Sequence, residues 1–597
     1  MSEITQKLLD HPILFYIKSH KRAFTIGLFF LLVTNFLDAM TPLVLKAGID
    51  ALSNKAPLSQ IQKLALLLFA VMLSLSWTRY GWRIYWGKFH TYASEDLRNR
   101  IFRHLTQMGM RFFNKSPVGE LMSLITNDVN SFRQGLGPGL LILIDGISIT
   151  LIIIPTMLTL NAGWTFKTMF FIPFVPLFIW KVMALIHDAY KIQQDRLSEM
   201  TGFSQEIVGG IRVIKSFAQE FQKTRQFNEF SHRYEDASNH LAWVDTFYFL
   251  VTQTAIISGT VCLFWVGTPD VLKGVATIGT FVAFQNYIAR MVWPLSALGL
   301  GVSQIQKAMA SFTRIKELLK QQTDTPDSGK LQLEKFEKLE IKNLQFGYSP
   351  EHQVLKNINL SIQQGEFVGI TGPVGSGKTT LLSLITRLYP FEQGEILIND
   401  KNLNEYTLES LRKNFVLIPQ DPFLFSMSVQ DNISYGNGSQ KEDEHQMTQL
   451  KKVAHSVDLD QEIDSFPAGF KAPLGERGLN LSGGQKQRLT LARGTFLDSE
   501  VTMFDDNLSA VDHRTEQTIL KRLGFKGDPN DTSIAKESQG INLKTCIMVT
   551  HRLSPIEKAD KIIVLKEGQI EAFGTHQELL LTSPTYRTMA SIQGYSL

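Results

Sequence analysis

Phe367-Val368-Gly369-Ile370-Thr371 runs directly into Gly372-Pro373-Val374-Gly375-Ser376-Gly377-Lys378-Thr379, and Thr380 to Leu388 then read as a largely apolar helix. A short apolar strand, a turn of the form G-x-x-x-x-G-K-T and a helix that starts on it are together the context of a phosphate-binding loop. The glycines let successive backbone N–H groups wrap an anion, and the helix N-terminus adds a favourable dipole. Lys378 is placed to reach the β- and γ-phosphates of a nucleotide and Thr379 to offer its hydroxyl to Mg²⁺. Gly372, Gly375, Ser376, Gly377, Lys378, Thr379 and Thr380 therefore form the expected phosphate cradle, with ATP and Mg²⁺ as the expected cofactors.

Downstream, a second apolar strand, Glu500–Phe504, ends in Asp505-Asp506. An acidic residue leaving a strand opposite such a loop is suited to hold Mg²⁺, which assigns Asp505 to the metal. Between the two lies Leu481-Ser482-Gly483-Gly484-Gln485. LSGGQ in this place resembles the signature of the ABC ATPase family. Three further stretches resemble that family in order: Ile418-Pro419-Gln420-Asp421 its Q-loop, Ser509-Ala510-Val511-Asp512 its D-loop, and Val549-Thr550-His551-Arg552 its switch histidine. Tyr348, in Phe346-Gly347-Tyr348, matches the aromatic that stacks on adenine. The resemblance implies Ser482, Gly483, Gly484, Gln485 and Asp512 at the nucleotide, Gln420 beside the metal with Thr379 and Asp505, and Asp506, His551 and Gln420 in hydrolysis.

One position departs from the pattern. Most active members of the family carry Glu directly after the acidic strand residue, where it polarises the attacking water; here it is Asp506. Asp is one methylene shorter, so its carboxylate falls ~1.5 Å short. Misplacing a catalytic group by about 1 Å costs on the order of 10²-fold in rate. The resemblance also implies that a signature serves the other chain's phosphate loop. A slow site of its own and an intact signature fit a non-identical partner better than two copies of this chain. Together with the first half, the pattern resembles the degenerate-site subunit of bacterial heterodimeric multidrug-like exporters.

That first half holds six apolar segments: Phe24–Leu45, Ile61–Trp86, Gly139–Leu160, Trp164–Ile186, Phe247–Val266 and Val275–Leu300. Each is about 20–25 residues, enough to cross a hydrocarbon core of ~30 Å as a helix. Lys18, Lys21 and Arg22 precede the first, and the long stretches Gly87–Pro138 and His187–Thr246 are basic near their membrane ends. The positive-inside rule then puts the N-terminus, both long stretches and the C-terminal half in the cytoplasm. The long stretches read as helical continuations, either solvated loops or levers that touch the ATPase domain, with hairpin turns near Phe112–Phe113 and Gly119–Leu121, and near Gly210–Arg212 and Phe217. Gln6 to Ile17 read as an interfacial element in which Pro12 opens a fresh turn. Asp38, Asp145 and Arg290 are the deepest charges of the spans; Asp145 and Arg290 are placed either to line a substrate cavity or to pair with each other or another helix. Arg79 and Arg83 read as snorkelling near the cytoplasmic end of the second span.

The expected architecture is thus an α-helical six-span membrane domain of the type I ABC exporter kind, fused to an α/β P-loop nucleotide-binding domain. Residues 1–22 form an interfacial elbow, 23–320 the membrane domain, 321–332 a linker and 333–597 the ATPase. The N-terminus lacks the pattern of a cleaved signal peptide. A net charge of +4 over 597 residues gives no bulk basicity for nucleic acid. Two cysteines, Cys262 in a span and Cys546 in a strand, do not make a disulfide framework. Gly524–Asn542, with Gly527-Asp528-Pro529-Asn530, reads as an exposed loop insertion. The resemblance implies ATP-driven export or flipping of amphipathic small molecules or lipids across a bacterial inner membrane, with a second half-transporter chain and membrane lipids as partners. The alternatives are a homodimeric lipid flippase and an ATP-regulated channel on the same scaffold.

Overall fold

The computed structural model describes residues 3–170, 174–349, 351–437, 444–478, 480–524, 541 and 543–595. The chain divides into two compact units: Met1–Thr106 with Ser116–Gln321, and Gln107–Lys115 with Gln322–Leu597.

Among the described residues, the first unit is built from six long helices: α1 (Lys21–Ser53), α2 (Leu58–Thr106), α3 (Val118–Thr168), α4 (Phe174–Gly209), α5 (Glu220–Leu272) and α6 (Ile278–Lys320). Among these, α1, α2, α3 and α5 are each long and apolar enough to cross a membrane. The helices outrun the apolar segments, so the long polar stretches are helical continuations, interrupted by short helices at Met110–Lys115 and Ile211–Ser216. Brief turns at 54–57 and 273–277 join α1 to α2 and α5 to α6. Before α1, Glu3–Asp10 and Pro12–Ser19 form two short helices, the second with Pro12 in its first turn. Leu8, Leu9, Pro12 and Tyr16 are buried, while Ile13 and Ile17 are half-buried.

The fourth apolar segment needs correction. Helical geometry breaks at Asn161 (φ −164°, ψ 104°), whose Oδ1 accepts from Trp164 N at 3.0 Å and restarts one turn. Trp164 is buried there, its indole N–H donating to Asp270 Oδ2 at 2.8 Å. Trp164–Thr168 therefore close α3, and α4 starts at Phe174 rather than Trp164. The α3 rod also contains two π turns, Leu124–Asp128 and Gly135–Gly139.

Charges inside this bundle stitch helices together. Arg290 of α6 pairs with Asp38 of α1, and Arg79 of α2 reaches Asp38 at 3.4 Å instead of only snorkelling. Asp145 of α3 does not meet Arg290; it accepts from Asn35 Nδ2 at 3.0 Å and Trp293 Nε1 at 3.4 Å. Asp50, which the sequence reading passed over, accepts from Gly279 N at 2.9 Å and Thr277 Oγ1 at 3.0 Å, satisfying a free N–H at the start of α6. Arg83 lies over its neighbour Trp82.

The second unit has two sheets. β1 (Lys338–Ser349), β2 (His352–Gln363), β4 (Gln393–Ile398) and β5 (Lys401–Asn402) form an antiparallel sheet in the order β2-β1-β4-β5. β3 (Phe367–Thr371), β6 (Phe415–Ile418), β7 (Val501–Asp505), β8 (Thr545–Val549), β9 (Lys561–Lys566) and β10 (Gln569–Gly574) form the other, in the order β10-β9-β3-β8-β7-β6. Its core strands β3, β7 and β8 are buried along their whole length, which is why they read as continuous apolar runs. Cys546 sits in β8, where burial raises its thiol pKa well above the ordinary value. The stretch read as a linker is tied down: Arg387 donates to Pro326 O at 3.0 Å, Lys330 N to Glu405 O at 2.8 Å and Leu408 N to Asp327 Oδ1 at 2.9 Å. Residues 525–540 and 542 of the expected insertion lie outside the described residues.

Candidate ATP site

The phosphate loop leaves the C-terminal end of β3 and opens α7 (Lys378–Ile385). Gly377 at φ +99° and Gly372 at φ +148° hold conformations that side chains rarely adopt. A Cβ would also meet Leu355 Cδ2 at 2.6 Å from Gly377, and Leu565 O at 2.0 Å from Gly372. Lys378 Nζ folds back onto its own loop, donating to Gly372 O and Pro373 O at 2.9 Å each. Burial pushes its ammonium below the ordinary lysine range, opposed by Asp506 and Asp505. Gly375 takes φ +82°, and Ser376 lies buried beneath the turn.

Thr379 Oγ1 donates to Asp505 Oδ1 at 2.9 Å, so the residue expected to hold a cation from the loop meets the one expected from β7. Burial raises the Asp505 carboxyl, and the Thr379 hydrogen bond opposes the rise. A hydroxyl and a carboxylate are the oxygen donors that suit Mg²⁺ beside phosphates.

Asp506 turns the chain out of β7 in the left-handed region, φ +45°, with its N–H on Val549 O at 2.8 Å. This is costly backbone for a non-glycine residue. Its carboxylate is shared. His551 Nδ1 lies 3.0 and 2.9 Å from the two oxygens, and Gln420 Nε2 donates to one of them at 3.4 Å. The three residues assigned to hydrolysis are therefore one cluster, and Gln420 faces Asp506 rather than the Thr379–Asp505 pair.

Tyr348 is half exposed, and its hydroxyl meets Thr380 Oγ1 at 3.0 Å. Beside it opens a cavity of about 320 Å³ whose walls include Phe346, Tyr348, Gln353, Glu392 and Arg111. Residues 107–115 belong to this unit. Asn114 Nδ2 donates to Tyr389 Oη at 2.7 Å, and the Arg111 guanidinium lies 5.9 Å from the Phe346 ring centre. The sequence reading marked this stretch only by Phe112–Phe113, because it carries no motif.

The signature lies at the exposed N-terminus of α8 (Gly483–Phe496). Ser482 Oγ accepts from Gln485 N at 3.3 Å and Gln485 Oε1 from Ser482 N at 2.9 Å, a reciprocal cap. Gly483 is exposed and Gly484 half-buried on the first turn, leaving N–H groups open to an anion. Gln487, one turn further on, bonds Ala510 N at 2.9 Å and Ser509 Oγ at 3.3 Å, tying signature to D-loop. Asp512 caps α9 (His513–Arg522), accepting from Thr515 N at 3.1 Å. It makes that cap rather than a contact with the phosphate loop.

Residues 24–295 match the family described as ABC transporter transmembrane region, and residues 355–509 match the family described as ABC transporter. A multidrug resistance-like ATP-binding protein, MdlA, of Buchnera aphidicola is 32% identical over 586 residues, 96% of each chain. The chain belongs to the ABC transporter family. A probable multidrug resistance ABC transporter ATP-binding/permease protein, YheI, of Bacillus subtilis is 30% identical, covering 96% of this chain and 95% of that one. A solved bacterial Atm1-family ABC exporter with ATP bound aligns over 96% of this chain and 99% of its own, with a TM-score of 0.74 at 22% identity. That likeness carries the fold: a type I exporter-like helical membrane domain joined to an ABC ATPase. This ABC exporter is an integral membrane protein whose ATPase domain binds ATP and couples its hydrolysis to transport.

Proposed function

We propose that this exporter is one half of a heterodimeric multidrug-type transporter in a bacterial inner membrane, and that its own nucleotide site hydrolyses slowly. Asp506 carries the reading. The resemblance puts the water-orienting group at this position, yet Asp is one methylene shorter than Glu, and its oxygens meet His551 and Gln420. A shortfall of ~1.5 Å in a reaction that depends on positioning is worth on the order of 10²-fold in rate.

The remaining roles are assigned as the resemblance implies. Lys378 and the loop N–H groups bind the β- and γ-phosphates, and Tyr348 stacks on the base. Thr379 and Asp505 would hold Mg²⁺, and the ion would neutralise phosphate charge. Ser482 to Gln485 and Asp512 serve the nucleotide on the partner's loop. The partner then supplies Glu at the position of Asp506, and this chain's intact signature completes the competent site. Amphipathic or hydrophobic small molecules and lipids are the expected cargo, in keeping with the multidrug names of the relatives.

Affinity purification of the tagged chain from its native membranes, with mass spectrometry of what accompanies it, tests the assembly. The expected companion is a second ABC half-transporter with Glu at the matching position. Recovery of this chain as a homodimer with substrate-stimulated turnover would overturn the proposal.

A further inference from the structure

The tail of the second unit closes on the loop that carries His551. The last helix, α10 (Pro584–Ile592), is anchored by Tyr586, fully buried, whose hydroxyl lies 2.7 Å from His576 Nδ1. Its end is a tight turn. Gln593 N donates to Met589 O and Ala590 O at 3.1 Å, Tyr595 N donates to Ala590 O at 3.0 Å, and Gly594 takes φ +82°. With its backbone fixed in this way, Gln593 extends its carboxamide to two points of the switch loop. Nε2 donates to His551 O at 2.8 Å, and Oε1 accepts from Leu553 N at 2.8 Å. On its other side the same loop is held by Glu516 of α9, which is fully buried. Ser554 Oγ donates to Glu516 Oε1 at 2.6 Å, and Arg552 pairs with Oε2 at 2.6 Å.

We propose that Gln593 is a positioning residue for His551, holding the switch loop so that the imidazole stands ready at the terminal phosphate of ATP. This rests on the proposed function and on taking His551, which the resemblance assigns to hydrolysis, as the side chain that meets the γ-phosphate. Gln593 does not touch the nucleotide; it acts by fixing the backbone on both sides of Arg552, so that less freedom is lost when the phosphate arrives. ADP lacks the group that His551 meets, so the effect is confined to ATP. The sequence offers no hint of this, since Gln593 lies 42 residues beyond His551 in a tail without a motif.

The test is photolabelling of the full chain, in complex with its co-purifying partners, by an 8-azido-ATP probe. This chain's band is read while unlabelled ATP or ADP competes. His551→Ala is expected to lower the preference for ATP over ADP about tenfold, and Gln593→Ala roughly threefold, with ADP competition unchanged. Gln593→Glu keeps the volume and the acceptor for Leu553 N but turns a carboxylate oxygen toward the His551 carbonyl, so it is expected to lose at least as much. If His551→Ala lowers the preference and both Gln593 variants keep it, the positioning role is overturned. The same holds if Gln593→Ala weakens ATP and ADP alike while Gln593→Glu behaves as wild type, which would mark a packing role for α10. If His551→Ala itself keeps the preference, the reading of His551 fails and takes the positioning role with it.

Discussion

Lys378 donates to two carbonyls of its own loop, and burial lowers its pKa from the ordinary lysine value, so a charged phosphate is a stronger partner for it than those neutral carbonyls. Lys378→Ala is therefore expected to weaken ATP binding at this site about tenfold or more, the weight of a charge-assisted hydrogen bond. Photolabelling of the full chain with competing ATP measures this, and unchanged affinity would remove Lys378 from the site. Ser482 and Asp506 make a contrasting pair. On the proposed division of labour, Ser482→Ala damages steady-state ATP hydrolysis of the assembled complex more than Asp506→Ala does, because the signature completes the competent site. Loss of all turnover in Asp506→Ala alone would reverse the assignment. The loop was legible because its eight residues, Gly372 to Thr379, are consecutive and each glycine has a backbone reason to be there. The meeting of Asp506 with His551 was foreseen only through the resemblance, which put both in hydrolysis, since 45 residues separate them and the parallel pairing of β7 with β8 brings them together.

Elements show the same contrast between local and distant information. The six apolar runs marked six helices, and the strand β3 fell on the residues expected, because burial on both faces leaves a continuous apolar run. The start of α4 did not, because Asn161 breaks the helix by capping Trp164, an act of one side chain that hydropathy does not register. Pairing of the intramembrane charges was equally hidden, with Asp38 and Arg290 lying 252 residues apart. That pair makes a prediction about α1 and α6. Asp38→Ala leaves Arg290 without its carboxylate in a poorly solvated bundle and is expected to cost about 3 kcal/mol, less whatever Arg79 and water recover. Thermal unfolding of the full protein should show a lower midpoint, and the uncharged pair Asp38→Asn with Arg290→Gln should regain most of it. A midpoint unmoved by Asp38→Ala would mean that the pair carries no weight in the bundle.

At the scale of the whole molecule, a helical membrane unit and an ATPase unit lie in one chain, and the sequence already divided them by hydropathy and motif. That residues 107–115 join the ATPase unit fits the reading of the long stretches as levers, while the meeting of Asn114 with Tyr389 across 275 residues was not legible. Central to the proposed function is that Asp506 makes this chain's own site slow. The most direct measurement is steady-state ATP hydrolysis by the full chain expressed alone in lipid nanodiscs, beside its Asp506→Glu variant. Two copies of this chain supply intact signatures but only shortened carboxylates, so the wild-type chain should turn over slowly, and restoring the methylene should raise the rate on the order of 10²-fold. Rapid hydrolysis by the wild-type chain alone, unchanged or reduced in Asp506→Glu, would contradict the account.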